Sequence, residues 1–534
     1  MIDVPLLQDL GFARFSSKQW REHQQEVVSA IVNSKKKFIF VQAPTGAGKS
    51  PIAMAAGKLA DPKRIRTRTR GQKLTQYPPQ SAVVTATKQL QKQYLDDFDD
   101  YAKEVKGRGN FNCLIEPVSA AEGLCTISGP EKCEQSADCP YYVQRDAAFI
   151  APMTIHSYAY ILNTANYSGT FSQQTLMVLD EGHLIDDMLM SFIAAPMHKQ
   201  TCQAFNIPSP AVGGNSWSWS DWQGWAMAYS QDVQARLSSM AELVEHDLQV
   251  RNTYKAGKRL LDTMLLLEGS DDPWIIEPTL SGWEMRPTWI AAYGDGFLYR
   301  HAEKVVIMSA TILDYRTFAR VIGVDPEEAD FVDVPSSFPV GSRPIYYDPA
   351  WHGKKGNDML PLAEKVYDIL RMHPDEKGLV HCVSYDVMNF LAKNCPADLR
   401  RRVVTHGAAD RLSKYEEFRN SSEPLVLFSP SMKEGVSLED DMCRFIIVAK
   451  QPFPYLGSPQ IAARMKTELG KKWYPWKTAC DLIQMTGRGM RSAEDYCSVY
   501  LLDSTFENLF RQMKAFWPTW FTDDLHDVQG RLRG

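Results

Sequence analysis

The chain has 534 residues, more than one hydrophobic core ordinarily serves, so two or more domains are expected. Hydrophobic residues at 44% and charged residues at 23% are an ordinary globular composition and exclude a disordered or fibrous chain. A formal net charge of −5 rules out a global basic field, so any nucleic-acid partner would need a locally basic channel.

The N-terminus, Met1-Ile-Asp-Val-Pro-Leu-Leu-Gln-Asp9, has no basic region followed by an apolar run, and no stretch of about 18 apolar residues occurs in the chain. The sequence therefore predicts a cytoplasmic protein, in a bacterium or in the cytosol of an infected host, with no membrane partner.

Residues 17–60 alternate helix, strand, loop and helix. The strand Lys37-Phe-Ile-Phe-Val41 leads through Gln42 into Ala43, Pro44, Thr45, Gly46, Ala47, Gly48, Lys49 and Ser50, and an Ala-rich helical stretch follows from Pro51. Strand, glycine-bearing loop and helix are the context a phosphate-binding loop requires. The glycines let backbone N–H groups close on phosphate at the positive end of a helix dipole. Lys49 is expected to reach the β- and γ-phosphates of ATP and the Ser50 hydroxyl to ligate Mg²⁺. Ala43 stands where the general pattern has Gly, so the match is incomplete.

Residues 61–80 break the rhythm with Arg64, Arg66, Arg68 and Arg70 before Pro78-Pro79. They read as a loop, either a solvated connector or a contact to phosphates. Ser81-Ala-Val-Val-Thr-Ala-Thr87 is a strand ending in hydroxyls and leads into a Gln- and Lys-rich helix. Loops with cysteines occupy about 107–140. The apolar run Leu176-Met-Val-Leu179 then delivers Asp180-Glu181-Gly182-His183, which places Asp180 at a strand tip to hold Mg²⁺ and Glu181 to deprotonate water. Paired with the loop, this box implies ATP hydrolysis.

From about 186 to 300 the alternation stops. The segment carries Trp217, Trp219, Trp222 and Trp225 and one long helical pattern from Ser230 to Leu267, so a mostly helical insertion is expected, its tryptophans mainly core anchors. The strand Lys304–Met308 restores the rhythm and ends in Ser309-Ala310-Thr311. After a turn-rich passage from Pro335 to Pro344, strands are predicted at 378–382, 424–428, 444–449 and 497–502. The fold class is α/β, with two doubly wound parallel sheets.

Of 10 cysteines, Cys113, Cys125, Cys133 and Cys139 cluster, with 11, 7 and 5 residues between them. In a reducing compartment such a group suggests a metal before disulfides. Thiolates suit zinc or an iron–sulfur cluster. The absence of a Cys-x-x-Cys knuckle and the loose spacings favour the cluster. Cys202, Cys382, Cys395, Cys443, Cys480 and Cys497 are read as small core residues.

Arg21-Glu-His-Gln24 upstream of the loop, Thr85-Ala-Thr87 with Gln93, the Asp180–His183 box, Ser309-Ala-Thr311, Glu434-Gly435-Val436 and Gln484-Met-Thr-Gly487-Arg488-Gly-Met-Arg491 follow one another over nearly the whole chain. Lys106-Gly-Arg108 to Cys113 and Cys139-Pro-Tyr-Tyr142 to Arg145 bracket the cysteines. In this order the motifs resemble superfamily 2 helicases of the iron–sulfur branch that includes DinG and XPD.

The resemblance implies two RecA-like motor domains with a cysteine-rich iron–sulfur insertion and an arch-like helical insertion. The corresponding boundaries are 1–105 and 146–187 for the first motor domain, 106–145 for the cluster insertion and 188–300 for the arch. The first domain and linker end at 301–335, and the second motor domain is 336–534. Gln24 would read adenine, and a 4Fe–4S cluster would sit on the four clustered cysteines. Gln484, Arg488 and Arg491, at i, i+4 and i+7 of one predicted helix face, would reach the γ-phosphate from the second domain. Ser437 stands where the family commonly has Asp and brings a hydroxyl without charge.

The implied activity is that of a monomeric 5′→3′ motor on single-stranded and forked DNA, with the cluster segment as wedge. Two alternatives keep the same ATP site: a translocase that displaces proteins without strong unwinding, and a nucleic-acid-binding ATP switch.

Overall fold

The computed structural model describes residues 2–44, 46–60, 66–70, 73–77, 79–168, 171–210, 217–245, 247–336, 339–352, 358–430, 438, 440–489 and 495–532. Among these, a seven-stranded sheet runs in spatial order Ala329–Asp333, Phe38–Gln42, Ala302–Ser309, Gln174–Asp180, Ser81–Thr85, Met153–Ser157 and Ala102–Glu104. Every pairing in it is parallel. Phe38–Gln42, Ser81–Thr85 and Gln174–Asp180 are buried at every position, which explains their unbroken apolar runs: helices cover both faces. Register then places the motif residues side by side. Gln42 pairs with Ser309, and Met308 with Asp180, so three adjacent strands end at one edge.

A second seven-stranded parallel sheet has the order Val403–Val404, Val426–Ser429, Gly378–His381, Phe445–Val448, Ser498–Asp503, Ile345–Trp351 and Leu525–Asp527. Four of these strands fall where the sequence predicts them. The other three are short, or polar at alternate positions, and carry no comparable apolar run.

The segment between the box and Ala302 is less purely helical than its pattern suggests. Helices Trp219–Met240 and Leu248–Glu268 pack against each other, and Ala195–His198, Gly282–Pro287 and Trp274–Pro278 form a three-stranded antiparallel sheet beneath them. The single long helix expected from Ser230 to Leu267 is two helices. Asp247 starts the second one, its carboxylate accepting from the N–H groups of Gln249 and Val250. Trp222 and Trp225 are buried core residues, with Trp222 edge-on to Trp283 at 5.8 Å.

The arginine-rich stretch is not a plain loop. Arg66–Arg70 and Lys73–Tyr77 pair as an antiparallel ribbon, consistent with the alternating β-branched threonines. Arg64 lies outside the described residues. Among the described residues, no helix is long and apolar enough to cross a membrane.

Candidate active site

The phosphate loop leaves the strand Phe38–Gln42 and ends at Gly48, which caps the helix Lys49–Leu59. Gly46 and Gly48 adopt φ of +83° and +73°, left-handed values that favour glycine. A Cβ on Gly48 would also lie 2.3 Å from the Gln24 amide nitrogen. That amide donates to the carbonyls of Ala47 (2.9 Å) and Gly48 (3.1 Å), while its oxygen accepts from the Arg21 backbone N–H at 2.9 Å. The Arg21 guanidinium donates to the Gly46 carbonyl at 2.8 Å. Arg21 and Gln24 thus brace the loop itself. Ala43 is buried at the strand end and Pro44 accepts the Ala47 N–H; Thr45 lies outside the described residues.

Lys49 Nζ stands 3.7 Å from a Glu181 carboxylate oxygen. Asp180, 1% exposed, accepts the Glu181 N–H at 2.9 Å on one oxygen and the Tyr94 hydroxyl at 2.8 Å on the other. Burial pushes the Asp180 carboxyl up to about 6; the Lys49 ammonium opposes that and the Glu181 charge adds to it. Glu181 sits at φ +51°, a left-handed backbone costing about 1–3 kcal/mol for a residue with a side chain. Gly182 follows because a Cβ there would meet the Ile307 side chain at 2.5 Å.

From Glu181 a polar chain crosses to the second domain. His183 lies 3.4 Å from Glu181, and its Nδ1 is 2.7 Å from Ser309 Oγ. Burial lowers the His183 imidazole to about 4, so it is neutral at pH 7 and its 3.4 Å approach to Glu181 is a polar contact rather than an ion pair. Ser309 Oγ accepts from the Thr311 N–H at 3.1 Å, and Thr311 Oγ1 accepts from the Gln484 amide at 3.0 Å. Gln42 Oε1 holds the turn beyond by accepting from the Ile312 and Leu313 N–H groups at 2.9 and 2.7 Å.

The helix carrying Gln484 ends at Thr486, and Gly487–Gly489 is a 3₁₀ turn. The α-helix carrying Gln484 therefore stops before Arg488, whose backbone lies in the 3₁₀ turn. Gly489 turns against Cys497, where a Cβ would lie 2.4 Å from the sulfur. The Arg488 side chain, Arg491 and the segment Glu434-Gly435-Val436-Ser437 lie outside what is described.

Sequence reasoning misses three groups: Tyr94, Gln42, and the pair Asp186–Arg464. Asp186 follows the box by three residues, and the Arg464 guanidinium donates to both its oxygens at 2.6 and 2.9 Å. Arg464 also donates to the Thr288 carbonyl and lies over Trp289 and Trp473, 4.4 and 4.8 Å from the ring centroids. Nothing in the local sequence of either residue marks the pairing.

In the cysteine segment, burial pushes the Cys133 thiol up, and the neighbouring thiols of Cys125, Cys113 and Cys139 push the same way. A Cβ on Gly123 would lie 3.4 Å from the Cys113 sulfur and 3.8 Å from that of Cys125. The Arg108 guanidinium donates to the Cys125 sulfur at 3.2 Å and to the Tyr142 hydroxyl at 3.0 Å, lying over the Tyr141 ring. Four thiols and one cation thus share one small body. Among the described residues, no group of three or more His, Cys, Asp and Glu side chains is arranged to hold a metal ion. The other six cysteines are buried, as core residues should be.

Two parallel-sheet domains, a phosphate loop with its carboxylate box, and a polar bridge from His183 to the second domain are the arrangement of a two-domain P-loop ATPase. Residues 21–204 match the DEAD/DEAH box helicase family and residues 366–524 the helicase C-terminal domain. A solved XPD helicase superposes with TM-score 0.60 at 15% identity, covering 95% of this chain and 98% of that one. An apo XPD structure gives 0.56 at 14% identity, covering 92% and 98%. The ATP-dependent DNA helicase CHL1 of Vanderwaltozyma polyspora is 25% identical over 119 residues, 19% of this chain and 14% of that protein. Its Saccharomyces cerevisiae counterpart is 26% identical over 110 residues, 17% and 13%. The chain thus matches only about one-seventh of the length of these relatives. The two family matches together span more than half of the chain, which belongs to the DEAD/DEAH box helicases with a helicase C-terminal domain, and its fold is similar to that of the XPD helicases.

Proposed function

We propose that the protein is an ATP-dependent DNA helicase that moves 5′→3′ on single-stranded DNA and opens duplex at a fork. The observation that carries this reading is the polar bridge His183–Ser309–Thr311–Gln484, with His183 3.4 Å from Glu181, because it runs from the carboxylate box to the second domain. A motor needs such a link; a hydrolase that merely consumes ATP does not.

In this reading Lys49 exchanges its Glu181 contact for the β- and γ-phosphates when ATP enters. Glu181, freed, takes the proton of the attacking water. Ser50 and Asp180 hold Mg²⁺, which when bound neutralises phosphate charge. Gln484 senses the Ser309–Thr311 strand end, and Arg488 and Arg491 supply cationic charge from the second domain. Arginine fingers of this kind are worth about 10³–10⁵ in rate in other phosphoryl-transfer systems. Cleft closure and reopening then alternate the grip of the two domains on the strand. Contacts to phosphate and base faces make the grip sequence-independent.

Cys113, Cys125, Cys133 and Cys139 would hold a 4Fe–4S cluster, with Arg108 offsetting its thiolate charge. A cubane sets its thiolates around a body of four irons, whereas a single zinc draws them to about 2.3 Å from one centre. The segment would act as the wedge, and the paired helices Trp219–Met240 and Leu248–Glu268 as the arch. The protein would be cytoplasmic and work as a monomer.

ATPase rates without polymer, with single-stranded DNA, with duplex and with RNA test the reading. Strong stimulation by single-stranded DNA together with strand displacement supports it. Stimulation with streptavidin displacement but no unwinding would make the protein a translocase, and ATP binding without turnover would make it a switch.

A further inference from the structure

Tyr94 has no role in the motifs, yet it is the side chain lodged between the two prospective Mg²⁺ ligands. It is 0% exposed, its hydroxyl donates to Asp180 at 2.8 Å, and Ser50 is within hydrogen-bonding reach of the same hydroxyl. Ser50 opens the helix after the phosphate loop, and Asp180 ends a strand two places away in the sheet. One phenol therefore ties together two ligands that come from different elements.

The hydrogen bonds have a direction. A serine that ligates a cation through its oxygen must send its proton elsewhere, and the Tyr94 oxygen, with its own proton committed to Asp180, is an acceptor in reach. The Asp180 oxygen that accepts from Tyr94 and the one that accepts from the Glu181 N–H each keep a further lone pair for the metal shell. The arrangement matches what the loaded site needs.

Tyr94 also connects this site to a second place. It lies on the helix Lys88–Phe98, whose first turn is capped by Thr87, the Thr87 Oγ1 accepting from the Leu90 N–H at 3.2 Å. By the helicase resemblance, Thr85-Ala-Thr87 is the strand-end motif that would touch the nucleic-acid backbone. Seven residues of helix separate Thr87 from Tyr94, about 10 Å of rigid rod.

We propose that Tyr94 is a positioning residue that fixes Ser50 and Asp180 relative to each other and carries strand engagement at Thr85–Thr87 to the Mg²⁺ site. The coupling half of this inference rests on the helicase reading; the positioning half does not.

Tyr94→Phe removes one hydroxyl and keeps the ring that fills the core, and its thermal midpoint reports whether the fold is intact. The half-saturating Mg²⁺ concentration for ATP turnover should rise about tenfold, the usual scale for losing a partner behind a metal ligand. KM for ATP at saturating Mg²⁺ should stay within about twofold, because the Lys49 and backbone contacts to phosphate are untouched. A purely structural role would move both together. Mn²⁺ titration with ADP present, followed by electron paramagnetic resonance, should show the same weakening without turnover. The ratio of DNA-stimulated to unstimulated rate should fall in the variant. Unchanged Mg²⁺ and Mn²⁺ titrations would overturn the positioning role. An undiminished stimulation ratio would overturn the coupling. A wild-type rate that single-stranded DNA does not raise would overturn the helicase reading and the coupling with it, while the metal titrations would still decide the positioning role.

Discussion

Asp186 and Arg464, 278 residues apart, form a bidentate ion pair with the guanidinium held between the faces of Trp289 and Trp473. The side chains are 9% and 4% exposed, so each charge depends on the other for its solvation. The pair fastens the helix Ile185–Ile193, which follows the box, to the helix Pro459–Met465 just before the one that carries Gln484. Its value lies in setting how the two sheets face each other more than in net stability.

Arg464→Ala should therefore cost about 3–5 kcal/mol in denaturant unfolding, because it leaves the Asp186 carboxylate buried and unpaired. Replacing both residues with Leu and Met should recover most of that loss. A double variant as unstable as the single one would show that packing around the tryptophans, and not the charge pair, holds this interface.

Lys49→Ala removes the phosphate contact and should abolish hydrolysis, measured as released phosphate. Glu181→Gln keeps the shape and the Lys49 neighbourhood but not the base, so ATP should bind while turnover stalls by about 10²–10⁴. Hydrolysis at the wild-type rate in Glu181→Gln would assign the base elsewhere.

How much of this was legible before the fold is known differs between elements. The strands ending at Gln42 and Asp180 are fully buried and the one ending at Ser309 is buried from Val305 on, and a parallel strand buried on both faces leaves an unbroken apolar run that sequence shows directly. Ile345–Trp351 alternates buried and half-buried positions, and Leu525–Asp527 is only three residues long, so neither offers that signal. The break between the two helices of the insertion rests on Asp247, a capping residue within an otherwise helical pattern. The loop-and-box chemistry is readable because its residues are local in sequence. Tyr94, and the pairing of Asp186 with Arg464, depend on which elements the sheets bring together, and no spacing encodes that.

Buried histidines give the protein an acid sensitivity with a definite sign. Burial holds His156 down to about 3 and His183 to about 4, below the ordinary value of 6.5. Between about 6.5 and 4 the unfolded chain takes up protons that the folded one refuses. These groups therefore contribute stability that is present above pH 6.5 and lost as pH falls toward 4. His156→Phe keeps a flat ring against Tyr160, where the imidazole stacks at 5.1 Å, and removes one titration. Thermal unfolding from pH 7 to 4.5 should show a shallower acid decline in the variant, by up to about 1.4 kcal/mol per pH unit. Parallel curves would mean that His156 does not stay neutral in the folded state.

Protein purified without oxygen should be brown and contain about four iron and four sulfide per chain. Cys133→Ser should lower both and disorder the neighbouring loops. It should impair unwinding more than basal ATP turnover, because the phosphate loop leaves the strand Phe38–Gln42, four strands across the sheet from Met153–Ser157, which follows the cysteine segment. Stoichiometric zinc with no acid-labile sulfide in fresh anaerobic protein would overturn the cluster assignment.

Polarity is the property least visible in individual residues, since no spacing states which way a strand runs. The cysteine segment lies between Ala102–Glu104 and Met153–Ser157 of the first sheet, and the paired helices lie between Ile185–Ile193 and Ala302–Ser309, so both insertions leave the first domain. The proposed 5′→3′ direction rests on the resemblance of these parts to the iron–sulfur helicase branch: a motor loaded on a 5′ tail would advance toward the 3′ end. A forked DNA with only a 5′ single-stranded tail should be unwound with ATP and Mg²⁺, and one with only a 3′ tail should not. Removing the cluster should lower unwinding of the 5′-tailed fork while leaving translocation along tail-only DNA, read by streptavidin displacement, largely in place. Efficient opening of the 3′-tailed fork alone would reverse the proposed direction and leave the cysteine segment without its wedge role.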